Sequence, residues 1–541
     1  MTPRGAILQI AKMVGQDIAR GTPSQGALAA GPMLAQSGTT PDLIACLVAE
    51  AGKKRPGDRI VEACCFLLES ALNDLRVSGN GGSSVARVML GDARKAVETA
   101  VAAKRLTPDV LMRIARAVAQ AGLEPGPALK DATLAAMEDG FALDLASPQG
   151  GRPADHLAKI AESLGHDPFA IHAELAASGA AFPPEHRAAM AAELAASDIA
   201  ALRDAALGFV LDAHPAPGAA VLEALAEQAR RHPLPSRVIE RLVSLRPWLP
   251  PARQPKMDVA IRSLRANTAP PLPVGRGEVK GLLASLCDGA GAQSLFALLK
   301  TGRRYALASV LVKSDEGVAD AWLGDDMTKR EADDIVARIK GAAEAVDVPI
   351  ALVEMRLSDA LAINLARDTL PPFGLLQVTE ALGLGLLQPA AASPMALANT
   401  LLSGLPPEDT GPDATREAHL DAVDWQELFH TMGSWFEAGE AIETLLRPIT
   451  SRRKRIEAVL NRHLPGRRAF WAERCAWMAA TLKDSRSDER EEWLNFALVA
   501  RELAGAKPLA EIPLFDVIAE ATVDAFAGST PTRRQVKPRG R

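Results

Sequence analysis

Apolar residues recur every three or four positions along most of this 541-residue chain, and short turns of Pro, His, Ser and Gly interrupt the recurrence. That period is the signature of helices with one apolar face. Pro184–Ala266 shows it most clearly. Its helices are built on alanine and leucine, so helix propensity is high and small side chains let neighbouring helices approach closely. The chain opens the same way, with Ile7, Ile10, Ala11, Val14 and Ile18 on one face. The pattern predicts a mostly α-helical protein of helical-repeat or solenoid-like arrays.

One region breaks the helical period. Ser294–Lys300, Tyr305–Val312 and Val318–Leu323 are apolar, partly β-branched runs separated by Thr301-Gly-Arg-Arg304 and Lys313-Ser-Asp-Glu-Gly317. Gly-containing turns between such runs predict a small antiparallel β-meander of three strands. Tyr305, Leu307, Ser309 and Leu311 are expected on one face of the middle strand, and Ala306, Ala308 and Val310 on the other. That second face is small enough for a closely packed helix. Thr328-Lys-Arg-Glu331 has the spacing of a capping box, and the helix it opens, Glu331–Ala345, is the expected occupant.

Breaks rich in Pro and Gly divide the chain into blocks. Ser147–Pro153 ends an N-terminal helical block, 1–146. A second block, 154–266, runs to the linker Thr268–Gly275. The α+β module spans 275–347, and a further helical block 348–404. Leu405–Pro412 then introduces 413–527, where five of the seven tryptophans fall: Trp425, Trp435, Trp471, Trp477 and Trp493. Each would bury a large area, so a compact C-terminal helical bundle is expected. Residues 528–541 lack an apolar period and are expected as a disordered basic tail.

Within the second block, Leu194-Ala-Ala-Ser-Asp198 leads to Leu202-Arg203, Ala205-Ala206 and Val210-Leu211. A turn with Asp, then a helix carrying Leu-Arg and an Ala pair, resembles a HEAT/armadillo-type repeat, and the resemblance covers residues 168–266. The following unit, Asp212–Pro217 into Val221–Ala226, keeps the order of turn and helix but lacks the Val-Arg pair. The resemblance implies a curved stack with an extended concave surface that binds another protein.

Composition narrows the function without identifying it. The chain is 48% hydrophobic and 23% charged, which is folded rather than disordered composition. Its net charge of −5 gives no global attraction to nucleic acid. Of the 61 Lys and Arg residues, 17 are Lys and 44 Arg, and with the alanine excess this is the composition of GC-rich bacterial coding sequence. The five cysteines show no Cys-x-x-Cys spacing. Cys64 and Cys65 lie in an apolar helical run, so buried thiols in a reducing compartment are expected. The first twenty residues lack the basic stretch and unbroken apolar core of a signal peptide. Ala381–Pro407 carries no charge, yet Gln388, Pro389, Ser393, Pro394 and Asn399 oppose a membrane span and predict two buried helices around a Pro-containing turn. A cytoplasmic location is expected.

Candidate chemistry is sparse. Glu427-Leu-Phe-His430 has the Glu-x-x-His spacing of di-iron bundles, but those sites need a second such pair. The sequence has none, and His419 and Asp421 do not complete the set. Ser78–Ser84 is Gly-rich and precedes a helix, but it lacks a phosphate-cradling motif and reads as an interhelical loop. His166, His172, His186, His214 and His232 lie beside turn-forming sequence and read as residues of helix ends. No catalytic residue, cofactor or metal ligand is assigned.

The clearest electrostatic feature is a pair of opposite runs. Glu408–Glu427 holds seven acids and one base, Arg416, whereas Arg447–Arg474 holds nine bases and two acids. Arg452, Arg453, Lys454, Arg455, Arg462, Arg467 and Arg468 form the candidate interaction patch, above an apolar stripe of Ile456, Val459, Leu460, His463 and Leu464. Cations at a helix start oppose its dipole, so this patch calls for a partner. The partner is expected to be the chain's own acidic run, an acidic protein surface or, with the basic residues from Arg533 onward, nucleic-acid phosphates. The leading reading is a non-catalytic scaffold or adaptor for another protein. A nucleic-acid-associated accessory protein comes second, and an enzyme whose site assembles from distant segments comes third.

Overall fold

A computed structural model of the protein describes residues 3–20, 24–80, 84–103, 106–146, 153–266, 268–269, 277–485 and 491–529. The chain is mostly α-helical, with a small antiparallel sheet and a C-terminal helical region. It forms two compact units: 1–242 with 255–270, and 243–254 with 271–541. Of the expected breaks Ser147–Pro153 and Thr268–Gly275, residues 147–152 and 270–275 lie outside the described residues, as do 81–83 of the Gly-rich loop and 530–541 of the tail. The last helix, Leu514–Ser529, continues through the residues where the tail was expected to begin.

In the first unit the apolar periodicity becomes helices from Pro3–Ile18 through Pro215–Arg231. Two of them, Pro168–Ser178 and Pro215–Arg231, begin with Pro in the first turn and a side-chain acceptor just before it. The Asp167 carboxylate accepts from the Phe169 amide at 3.0 Å, and His214 Nδ1 from the Ala216 amide at 3.2 Å. His214 is therefore a capping residue. His172 is not: it sits inside the helix Pro168–Ser178 with its ring edge-on to Phe209 at 4.8 Å. A Cβ on Gly208 would collide with that ring. Ile7, Ala11 and Val14 share one core with Leu43, Leu47, Cys64, Leu67 and Leu68. A Cβ on Gly31 would strike the Ser70 side chain, so Gln25–Gln36 and Asp58–Asn80 pack closer than another residue would allow.

The second unit contains a five-stranded antiparallel sheet. Its strands are β1 (Glu278–Ala284), β2 (Ala292–Thr301), β3 (Arg304–Lys313), β4 (Gly317–Met327) and β5 (Val346–Asp347), in the spatial order β4-β3-β2-β1-β5. Strands β2, β3 and β4 are those the sequence predicts, and Gly302, with φ +61°, supplies the turn between β2 and β3. Leu295 and Ala297 of β2 stand opposite Val310 and Ala308 of β3. The capping box also forms, with the Glu331 amide donating to Thr328 Oγ1 and the Thr328 amide to the Glu331 carboxylate.

The helix expected on the Ala308–Val310 face is not the one found there. Val353 and Leu357 of the helix Ile350–Ala366, with Val378 and Leu382 of Gly374–Leu382, meet Leu295, Ala297, Ala308 and Val310. The capped helix, Lys329–Ala342, buries only Ala332, so its apolar stripe is too thin for that role. Ile350–Ala366 buries Leu352, Val353, Leu357, Ala360 and Leu361. Its approach is close: Gly317 has φ +77°, and the Val318 amide donates to Asn364 Oδ1 at 2.9 Å.

Beyond the sheet lies the tryptophan-rich helical region. Trp425, Trp435, Trp471 and Trp477 are almost fully buried, and truncating such a side chain to Ala typically costs about 3–5 kcal/mol. The loop between β1 and β2 is seated in this region. The Trp435 indole donates to the Cys287 carbonyl at 3.0 Å, the Gly289 amide to Ser434 Oγ at 2.9 Å, and Arg474 Nε to the Gly289 carbonyl at 3.2 Å. A Cβ on Gly289 would collide with the Ser434 carbonyl oxygen. Gly289→Ala is therefore expected to lower stability by about 1–3 kcal/mol in urea unfolding. Gly433→Ala, where a Cβ meets nothing, should be close to neutral. Equal effects of the two would contradict the seated loop.

Candidate functional site

The basic run does not meet the acidic run. Among the described residues no ion pair joins Arg447–Arg474 to Glu408–Glu427. Arg452 instead spans Glu520 and Asp524 of the last helix, at 3.2 and 3.1 Å. Arg453 pairs with Glu457 one turn on. Arg455 donates to the Ile449 carbonyl at 2.6 Å and lies 4.9 Å over the Phe526 ring. Arg468 donates to the Leu503 and Glu502 carbonyls, at the C-terminal end of the helix Trp493–Ala504 where the dipole favours a cation. Lys454 and Arg462 are exposed. Arg455, Arg467 and Arg468 are thus committed to the fold, and Arg452, Arg453, Lys454 and Arg462 remain at the surface.

Arg467 belongs to a tight carboxylate site. The stripe that carries it is not one regular helix: Arg452–Ala458 passes through a π turn at Val459–His463 and a 3₁₀ turn at Leu464–Arg467 before Arg468–Lys483. His463, Arg467 and Trp471 converge from this segment on buried Glu437, at 3.1, 2.8 and 2.9 Å. The Glu437 amide donates to Thr522 Oγ1 at 2.9 Å. Burial alone would raise the pKa of this carboxyl, but the hydrogen bonds from His463 and Arg467 outweigh burial and hold it below the usual carboxylate range. The site ties three helical segments together.

The acidic run docks elsewhere. Trp425 stacks on Phe496 at 3.7 Å and donates to the Glu492 carboxylate at 3.0 Å. Asn495 donates to Asp421, and Arg501 to the Thr410 carbonyl and Thr415 Oγ1. This anchoring turns an apolar set outward. Leu420 is 64% exposed, Val423 44% and Leu428 46%, within nine consecutive residues. Exposed Glu417, Asp421, Asp424 and Glu427 are interleaved with them. The sequence carried this signal, apolar residues spaced among the acids, but charge alone drew attention to the run.

The first unit has a concave site of its own. A cleft of about 690 Å³ opens between the helices Asp58–Asn80 and Pro108–Gln120. Asp58, Glu62, Phe66 and Glu69 line one side at helical spacing, and Arg113 and Arg116 line the other. Arg113 bridges Asp58 and Asp109, at 3.1 and 3.0 Å. Arg116 is held by Glu174 through two hydrogen bonds, at 2.9 and 2.8 Å. The spacing Asp-x₃-Glu-x₃-Phe-x₂-Glu was legible in the sequence, but its opposing helix was not.

Other chemical candidates resolve into structure. The short helix Trp425–Leu428 ends before His430, so Glu427 and His430 do not share a helix face. His419 is buried, and burial, then Lys507, lowers its pKa. The five cysteines are free and buried. Burial pushes the Cys64 and Cys65 thiols up to about 12 and Cys287 to about 11, which removes nucleophilic thiolate at neutral pH. Among the described residues no group of three His, Cys, Asp or Glu is placed to hold a metal ion, and no helix is long and apolar enough to cross a membrane.

Because its folded-state pKa is depressed, Glu437 contributes stability that is complete above the ordinary glutamate value of about 4.3. That contribution is lost as pH falls through the folded-state value. Glu437→Gln is expected to lower stability at pH 7 by about 1–3 kcal/mol and to flatten the loss of stability on the acid side. Urea unfolding from pH 7 downward reads both. An unchanged acid limb in the variant would show that the carboxylate is not ionised and clamped as described.

Three family models match the chain: the Y4lR N-terminal domain over residues 29–126, the Y4lR second domain over 183–268 and the Y4lR C-terminal helical domain over 395–527. They place the cleft helices in the first of these regions and the exposed apolar set in the last. No solved structure matches the chain. Over 474 residues it is 29% identical to the uncharacterized protein y4lR of Sinorhizobium fredii (strain NBRC 101917 / NGR234), covering 85% of this chain and 87% of the relative, so the similarity extends through both compact units.

Proposed function

We propose that this protein is a non-catalytic adaptor in a reducing compartment, the cytoplasm, and that it binds another protein through the surface Glu417–Leu428. The observation that carries this reading is the exposure of Leu420, Val423 and Leu428 among four acids that no cation of the basic run neutralises. Clustered exposed apolar side chains are costly to leave in water, and a polar rim around them marks a contact surface. The charge of the rim selects the partner: a segment with apolar anchors flanked by Lys or Arg, steered by the acids and held by the apolar centre. Free, buried thiols favour a reducing compartment. A HEAT-like reading of 168–266 accords with a scaffold role, supported by Arg203, which is buried and folds back on the Ser197 carbonyl at 3.3 Å.

A photo-reactive residue at position 423 should crosslink a protein in cells of the source bacterium. Nuclease should leave the product intact, the joined peptide should be basic, and Leu420→Ser with Leu428→Ser should remove it at unchanged thermal stability. The reading fails if position 423 crosslinks no protein. It fails equally if the chain binds random-sequence RNA or DNA at sub-micromolar affinity and loses that binding when Arg452, Arg453, Lys454 and Arg455 become Gln. Losing four phosphate contacts would flatten the salt slope by about 3–4.

A further inference from the structure

The cleft of the first unit presents an unusual balance of charge. Its two cations are committed, Arg113 to Asp58 and Asp109, and Arg116 to Glu174, which does not line the cleft. Glu62 and Glu69 have no ion pair among the described residues, and Phe66 stands between them on the same helix face. At 1.5 Å rise per residue the two glutamates are separated by about 10 Å along the helix axis, and Asp58 to Glu69 by about 16 Å. The carboxylates are therefore strung out rather than gathered, and they form no metal-binding group. What fits is a long cation whose charges are spaced along an apolar backbone. Burial raises the pKa of Glu69 and Arg116 opposes it; Gln120, which also lines the cleft, donates to this carboxylate at 2.9 Å and leaves its remaining lone pairs for a ligand.

We propose that this cleft binds an extended alkylammonium ligand, with Glu62 and Glu69 each taking an ammonium group and Phe66 covering the methylene chain between them. An ammonium passing near the Phe66 ring would gain further from its π face, and the cleft volume of about 690 Å³ is ample for such a chain. The same chemistry is offered by a free linear polyamine and by lysine side chains of a peptide. The proposal concerns the first unit and does not depend on the surface around Leu420.

The test is calorimetric titration of the full chain with two probes, spermidine and an acetylated, amidated Lys-Ala-Ala-Lys peptide. Saturable one-site binding of either probe is expected, spermidine alone indicating a free polyamine and the peptide alone a partner's lysines. Glu62→Gln with Glu69→Gln should weaken it at least tenfold, and Phe66→Leu two- to fivefold. Asp92→Asn with Glu162→Gln, which removes two charges from the same unit outside the cleft, should have little effect. Should the double glutamine variant unfold, exposed Glu62→Gln alone is the readout, with a loss of at least threefold expected. The proposal is overturned if neither probe binds saturably, or if the control pair weakens binding as much as the cleft variants.

Discussion

Burying a guanidinium is costly wherever acceptors do not go with it, and the second unit is organised around that constraint. Arg356 is fully buried. Its Nη1 donates to Asp359 at 2.7 Å, its Nε to Gln293 Oε1 at 3.0 Å, and its plane lies 4.4 Å over Trp477, while Nη2 has no hydrogen-bond partner among the described residues. Gln293 passes the chain on, donating to the Ser285 carbonyl at 3.0 Å and Thr481 Oγ1 at 2.9 Å. The Asp359 carboxylate also accepts from the Ala392 amide at 2.8 Å. One polar network thus fixes strand β2, the helix Ile350–Ala366, the segment 383–393 that follows the helix Gly374–Leu382, and the helix Arg468–Lys483. Removing Arg356 or Asp359 alone would strand a buried charge, which costs about 3–5 kcal/mol. Hydrophobic burial supplies the drive to fold; this network selects a single register for it.

That rigidity bears on the proposed function. The platform Glu417–Leu428 rests on Trp493–Ala504 through Trp425 and Asp421, its preceding turn is held there through Thr415, and Trp493–Ala504 packs on Arg468–Lys483. The surface offered to a partner is therefore held in place from below, and binding need not first order it. In the basic run the same economy of charge runs the other way. Glu437 draws three donors inward through the π turn, and the last helix takes Arg452, so much of a run that looked like a binding patch is structural. Exposed Arg452, Arg453, Lys454 and Arg462 keep the surface character that composition suggested, although Arg452 and Arg453 are paired within the chain.

Local features were legible in the sequence, and tertiary choices were not. Period and turn chemistry located the Pro184–Ala266 helices, strands β2 to β4 and the capping box at Thr328, because each depends on residues within a few positions. Strand β1 escaped because the alternation of Glu278-Val-Lys stops at Gly281 and gives way to an unbroken apolar Leu282-Leu-Ala284, and β5 because it has only two residues. The helix beneath the sheet was misassigned because sequence proximity favoured Glu331–Ala345, whereas apolar area favoured Ile350–Ala366. The partners of the arginines were unreadable for a similar reason. Glu437, Glu520 and Asp524 are isolated acids in apolar stretches, while the dense acidic run owes its place to Trp425. The two surfaces now proposed for binding left only spacing as a trace, since exposure and the opposing wall of a cleft are properties of the fold.

The central claim is that the sheet and the tryptophan-rich helices of the second unit form one cooperative body through the Arg356–Gln293–Thr481 network, which also holds the surface proposed for binding in place. Native-state hydrogen exchange tests it most directly. Amides of β2 and β3 and those of Arg468–Lys483 should open with the same free energy and the same denaturant dependence. Exchange of the strands through an opening several kcal/mol cheaper than that of Arg468–Lys483 would contradict the claim.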